Sequence, residues 1–312
     1  MELGSHGNLP IISKSDKELS AIKRRLKRIN WPLLSLVSPV IGWMVFFFGV
    51  PQLFMLLISF MQQGYYGGIS YHFTFTNYQQ LFSPEYLSVI WTSIVFAFIV
   101  TLLTLVIGYP FAYAIATSSP KRQMFLLFLV IIPFWTSSLI RTFALMFITS
   151  TNGVINTILM QLHMITQPMQ ILYTPFAVYL GQFYTMLPYM ILPLFASIQA
   201  HMNQPELLEA AYDMGATKWK AFTKVTLPLT SSGIAVGILL VFIPTLGTYF
   251  IPLLMGGGRM VLVGDYIATE FLTNDNWPYG AATSVGMIFI TLILIIVLLR
   301  FMKNSFMEES DS

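Results

Sequence analysis

The chain has no cysteine among its 312 residues. That excludes disulfides, thiol catalysis and cysteine-bound metal. It has little charge: Asp, Glu, Lys and Arg make up 9% of residues, against roughly 25% in a soluble domain. Its four histidines, His6, His72, His163 and His201, lie far apart and show no ligand spacing, so no metal site is expected. There is no G-x-x-x-x-G-K-[ST] loop and no Gly-Lys pair, and phosphate cradling by that device needs both the loop and its lysine. With no cysteine, no histidine pair and no carboxylate inside an apolar run, no catalytic residue is expected. Any energy for work must come from a partner or an ion gradient.

What is present is apolar sequence in long runs. Hydrophobic residues make up 56% of the chain, and its mean hydropathy is +0.72. A spanning helix needs about 20 apolar residues. The charge-free runs, divided at turn signals, give six: about 33–60, 88–117, 124–149, 175–199, 231–254 and 279–302. Backbone groups in lipid must be satisfied within the segment, and these runs lack the alternation of a barrel strand. The expected fold is therefore an all-α membrane protein with six transmembrane helices. Residues 1–30 are polar and basic, without the apolar region of a cleavable signal, and read as a tail. Residues 31–305 read as the membrane domain, with a loop at 200–230, and 306–312 as a second tail.

Basic residues set the expected orientation. Fourteen of the sixteen Lys and Arg fall in the N-terminal tail, the 118–123 and 200–230 loops, and the C-terminal end. The positive-inside bias puts those segments, and both termini, in the cytoplasm. Residues 61–87, 150–174 and 255–278 then face out. Within 150–174, Val154, Ile155, Ile158, Leu159 and Leu162 recur at helical spacing, with Asn156, Thr157 and Gln161 opposite. This predicts a short surface helix capped by Thr151 or Asn152. It is read either as a packing element or as a platform for an external protein.

The stretch from Pro205 to Pro228 is charged and helix-forming, so it cannot lie in hydrocarbon. Pro205 fits a first helical turn, and Glu206 and Glu209 favour its positive dipole end. Gly215 can end that helix in a left-handed conformation. Thr217 can cap a second helix through Lys218, Trp219, Phe222 and Val225. The product is two short helices joined by a small-residue elbow, either a solvated loop or a surface for a partner.

Glu209-Ala210-Ala211-x3-Gly215-x9-Val225-x-Leu227-Pro228 resembles the EAA signature of permease subunits of binding-protein-dependent ABC importers. Val225, in place of isoleucine, is the one departure. The resemblance implies a type I importer permease (MetI-like) architecture and a loop that docks on a cytoplasmic ATPase through Glu209, Ala210, Ala211, Gly215, Leu227 and Pro228. It implies as partners a second permease, two ATPase copies and an external solute-binding protein in a bacterial inner membrane, with lipid around the spans and no nucleic acid. No cofactor is expected in this chain, since ATP and Mg would be bound by the ATPase. Closure of the ATPase dimer on ATP would open the path outward, and hydrolysis would reset it.

Further stretches are similar to the first permease of spermidine/putrescine importers: Asn77-Tyr78, the 108–112 segment GYPFA, the 133–141 segment PFWTSSLIR, Leu254-Met255-Gly256-Gly257 and the 277–284 segment WPYGAATS. A polyamine is a flexible polycation, so its recognition calls for aromatic faces and acidic groups. Trp135, Leu139, Thr142, Leu145 and Met146 fall on one face of the third span. Tyr184 and Tyr189 lie near Pro188 and Pro193, read as helix-breaking, in the fourth, and Tyr249 lies in the fifth. Each is read either as ordinary packing or as path lining. No Asp or Glu lies within a span; acidic partners would come from a second permease or from Glu85, Asp265, Glu270 and Asp275. Arg141 is the one charge inside a span, about 26 Å along from Met124 at 1.5 Å per residue. It reads as an interface anchor or as a gate. Rival readings are a permease for another small solute, an ion-coupled secondary transporter, which would want buried acids, and a membrane enzyme, which would want a catalytic set.

Overall fold

The computed structural model describes residues 31–202 and 206–307, with side chains placed between 37 and 300. The N-terminal tail, Pro205 and residues 308–312 lie outside the described residues. The chain divides into two units at Met55/Leu56. The described part of the first is helix α1 (Trp31–Met44), which continues through a widened π turn, Val45–Gly49, into α2 (Val50–Ser59). From Val37 to Leu57 its apolar side chains are exposed or half-buried, none of them in a core.

The second unit contains the remaining elements. A two-stranded antiparallel hairpin, β1 (Met61–Gln63) and β2 (Ile69–Phe73), follows α2. No strand is expected from the sequence. Gly67 and Gly68 turn the hairpin with φ of 92° and 72°, which L side chains resist. Gly68 N–H donates to the Asp275 carbonyl at 2.8 Å, fixing the tip to a distant loop. After α3 (Thr76–Gln80) comes α4 (Pro84–Ala116), the second span. Ser83 caps it by accepting from Tyr86 N–H, with Pro84 at the first position and Glu85 in the first turn.

The third span is not the single helix expected over 124–149. It is α5 (Pro120–Ile131), a 3-10 turn over Ile132–Trp135, an extended Thr136, and then α6 (Ser138–Thr149) capped by Ser137. Pro133 has no N–H to continue the ladder, and Ser137 offers its hydroxyl to a new helix start. The predicted surface helix is α7 (Val154–Gln161), but its cap is Gly153, not Thr151 or Asn152. Asn156 is buried, not surface-facing. Its amide donates to the carbonyls of Ser150, Thr151 and Met169 and accepts from Met169 N–H.

The fourth span is α8 (Pro175–Met202). Next come α9 (Glu206–Asp213), α10 (Lys218–Ala221), a π turn over Phe222–Thr226 and α11 (Leu227–Leu229). The fifth span is also interrupted: α12 (Ser231–Leu246) stops at Gly247, and α13 (Phe250–Met255) begins after Tyr249. A further helix, α14 (Val263–Leu272), lies in a segment expected to be loop, and α15 (Trp277–Met307) is the sixth span. Among the described residues, five helices are long and apolar enough to cross a membrane, one of them Ser138–Gln161, which joins α6 to α7; the number is six if Lys218–Leu229 and Ser231–Leu246, bent by 63°, are one span.

The core of this unit lies where α4, α8, α12 and α13 meet, around Phe96, Val100, Met190, Leu194, Val241 and Met255. Association of helices in lipid depends on close packing more than on burial of oily surface. Accordingly, small residues stand at the contacts. A Cβ on Gly108 would meet Met190 at 3.2 Å, one on Gly237 would meet the Met190 sulfur at 2.6 Å, and Gly233 faces Ser197 and Pro193. Threonine hydroxyls buried in the spans bond back to their own helix, as Thr101 does to the Ala97 carbonyl.

Candidate functional site

The 206–230 element takes the predicted shape. Helix α9 ends in a Schellman motif: Ala216 N–H donates to Ala211 O at 3.0 Å and Gly215 N–H to Tyr212 O at 2.9 Å. Gly215 has φ +83°. Thr217 then caps α10 by accepting from Lys220 N–H. Glu209, Ala210 and Gly215 are exposed and Ala211 is half-buried. Between the two helices lies a cleft of about 280 Å³ floored by Ala211, Gly215, Ala216, Ala221 and Val225 and rimmed by Lys220 and Lys224. Tyr212, Met214 and Trp219 stand exposed around it, Met214 at 87%. Few surfaces left to water present such apolar side chains beside a positive rim.

Leu227 and Pro228 follow the π turn. Leu227 N–H reaches back five residues to the Phe222 carbonyl. Pro228 has no N–H for the carbonyl four residues before it. The widened turn therefore sits where the regular ladder would fail anyway.

The residues assigned to a solute path are spread over the two interrupted spans and the fourth span. Trp135 closes the 3-10 turn, is 79% exposed, and meets Phe128 edge-on. Leu139 is exposed, whereas Thr142 is buried with its hydroxyl on the Ser138 carbonyl. Leu145 and Met146 pack against the core. The break at Thr136 thus removes the single face expected for these five. Tyr184 lines an apolar cleft of about 450 Å³ with Phe111, Pro133, Leu187 and Pro188. Tyr189 stacks at a tilt on Phe134, 4.8 Å between centroids. Tyr249 sits at the break of the fifth span with its ring against Phe250. The segments that follow the two breaks, α6 and α13, pack on each other. Arg141, on α6, is half-buried, and its Nε is buried with no hydrogen-bond partner.

One organising residue escapes sequence reading. Gln182 of α8 is 1% exposed. Its Nε2 donates to Thr245 Oγ1 and its Oε1 accepts from Thr248 Oγ1, each at 3.1 Å. Thr245 precedes the break in the fifth span and Thr248 falls in it, so one amide ties the end of α12 to the break. The one signal in the sequence is a glutamine inside an apolar run, where polar residues are rarely idle.

Of the acidic residues outside the spans, Asp265 and Glu270 both lie on α14. Burial raises the Asp265 pKa. Burial also raises that of Glu270, with the Asn274 amide opposing and the Glu85 charge adding to the rise. Among the described residues, no Lys or Arg offsets the rise at either carboxylate. Among the described residues, no group of three His, Cys, Asp or Glu could hold a metal.

Residues 105–305 match the family model described as the binding-protein-dependent transport system inner membrane component. The chain is 40% identical to the spermidine/putrescine transport system permease protein PotB of Haemophilus influenzae over 85% of its length and 92% of that protein's. It is likewise 40% identical to PotB of Escherichia coli over 85% and 96% of the two chains. An inner membrane ABC transporter permease protein of Escherichia coli, YdcU, is 28% identical over 87% and 88%. Among solved structures, a bacterial ABC transporter involved in import of alginate has a similar fold, with TM-score 0.70, 20% identity and coverage of 92% and 99%.

Proposed function

The chain belongs to the family of inner-membrane components of binding-protein-dependent transport systems and is a permease subunit of an ABC importer; from that premise we propose that its solutes are the polyamines spermidine and putrescine. It is a multi-pass inner-membrane protein and works with an ATPase and a solute-binding protein. In the proposed assembly one copy pairs with a second, similar permease and two ATPase copies. The observation that carries the coupling role is the exposed elbow at Gly215, held left-handed six residues after the exposed Glu209. The polyamine reading draws on the relatives' substrate, on the aromatic rings at both breaks, and on uncompensated carboxylates of α14, which a polycation would neutralise. Uptake by the full complex, compared across spermidine, putrescine and unrelated small solutes, tests it. Preference for an uncharged or anionic solute overturns it.

The path is proposed to pass Trp135, Arg141, Thr142, Leu145, Tyr184 and Tyr249. Trp135→Ala removes a cation–π face worth about 0.5–2 kcal/mol, so spermidine uptake is expected to fall while assembly with the ATPase persists. Arg141→Ala is expected to raise ATP hydrolysis in the absence of solute, because an unpartnered cation beside a cation path acts as a barrier. If both variants keep wild-type uptake and ATPase coupling, the path lies elsewhere.

Both termini and the 206–230 element are proposed to face the cytoplasm. Single cysteines introduced at Gln167 and Thr151, both exposed, are expected to react with an impermeant thiol reagent added to intact cells. Cysteines at Ser119 and Lys218, also exposed, are expected to stay unlabelled. Labelling at Lys218 from outside reverses the orientation.

A further inference from the structure

The coupling element meets the fifth span at Thr230, where the two helical pieces bend by 63°. Thr230 is wholly buried. Its Oγ1 lies 2.8 Å from the Thr226 carbonyl and 2.9 Å from the hydroxyl of Tyr109, which belongs to the second span. A threonine hydroxyl has one proton. Given to the Thr226 carbonyl, it leaves the Thr230 oxygen as acceptor, so Tyr109 is the donor. The chain of bonds therefore runs from Tyr109 O–H to Thr230 Oγ1 and on to the Thr226 carbonyl, the last residue of the π turn.

The same tyrosine touches the other end of that turn. Phe222 opens the π turn and meets the Tyr109 ring edge-on at 5.7 Å and the Tyr113 ring at 6.1 Å. Trp219, 72% exposed on the coupling element, stacks on Phe222 at 5.8 Å. An unbroken set of contacts thus leads from an exposed side chain of the element, through Phe222, to a buried residue of the second span. Tyr109 grips the π turn at both ends: by its ring at Phe222, and by its hydroxyl, through Thr230, at Thr226.

We propose that Tyr109 is the positioning residue through which displacement of the coupling element is passed to the second span, so that the second span moves with the fifth. The covalent chain alone would carry that displacement only to the fourth and fifth spans, which flank the element. The proposal rests on the coupling role assigned above to the 206–230 element. Without the hydroxyl, the element still docks and still permits ATP turnover, but less of each stroke reaches the path.

The test uses the complete complex in lipid vesicles with spermidine as probe, and reads solute imported per ATP hydrolysed. Tyr109→Phe deletes one buried hydrogen bond and keeps the ring. Solute per ATP is expected to fall about three- to tenfold, the range set by one such bond, with ATPase activity within about twofold of wild type. Thr230→Val is expected to do the same and Thr230→Ser to restore the ratio. The double variant Tyr109→Phe/Thr230→Val is expected to be no worse than either alone, since both remove the same bond. A merely structural role would lower the amount of assembled complex and leave the ratio unchanged. A wild-type ratio in Tyr109→Phe overturns the proposal, as does a Thr230→Ser ratio as low as that of Thr230→Val. Should Tyr109→Phe fail to assemble, the Thr230→Ser and Thr230→Val pair decides. Failure of the underlying coupling role has a different signature: normal uptake by variants at Gly215 and Glu209.

Discussion

Gly215→Trp and Glu209→Lys are each expected to abolish uptake while leaving the permease in the membrane at near wild-type abundance. The reason lies in what surrounds Gly215. Its φ is +83°, yet a Cβ built there would meet nothing within 4 Å among the described residues. Among those residues, a Cβ at this position therefore brings backbone strain of about 1 kcal/mol and no clash. Gly215→Asn, which tolerates the left-handed region, is expected to fold as well as wild type, and Gly215→Ala nearly so. With permease abundance unchanged, a loss of transport that grows from Ala to Trp points to a surface outside the chain. Glu209 sits exposed on α9, two positions before Ala211, whose carbonyl anchors the elbow, so reversal of its charge reaches the same surface. Uptake and ATPase assays on the complete complex, with membrane abundance by immunoblot, provide the check. Equal and mild effects of Ala and Trp would remove the docking role.

The second large effect is expected inside the membrane. Gly233→Val brings a Cβ against Ser197 Cβ and to 2.8 Å from the Pro193 carbonyl. The backbone oxygen cannot swing aside, so the fourth and fifth spans must separate. Overpacking of this kind costs about 1–3 kcal/mol. The expected result is a sharp drop in detergent-stable protein. Gly233→Ala is milder, and adding Ser197→Gly to it is expected to recover part of the loss by clearing one of the two contacts. Wild-type thermal stability for Gly233→Val would mean that the two spans do not pack as described.

Much of this was legible before any coordinates. Charge-free runs locate the spans because a charge in hydrocarbon is expensive. The elbow was readable because only a few residues suit a left-handed helix end, and Gly215 followed by Thr217 names both the stop and the next start. The interruptions of the third and fifth spans were not. Hydropathy is averaged over a window, and neither Thr136-Ser137 nor Gly247-Thr248 lowers the average enough to register. Pro188 and Pro193 were read as helix-breaking, yet both lie within an unbroken α8, whereas Pro133, not so read, stands at a break, so proline alone does not decide. Neighbours do, as with the Gln182 amide bridging Thr245 and Thr248. The hairpin and α14 were missed because short polar segments outside the membrane carry little periodic signal. The path residues depended on those breaks, and the face drawn through Trp135 and Thr142 as one helix turned out to be two.

The Gln182 amide also bears on how the chain is made. It lies about 10 Å along α8 from Pro175, and both its partners are contributed by residues synthesised more than sixty positions later. While only four spans have left the ribosome, that amide has no Thr245 or Thr248 to meet, and hydrocarbon offers no substitute. The fourth span is apolar enough to cross the membrane by itself, but its buried amide is paired only when the fifth arrives. The two spans are therefore expected to settle into the bilayer together, the amide being satisfied last.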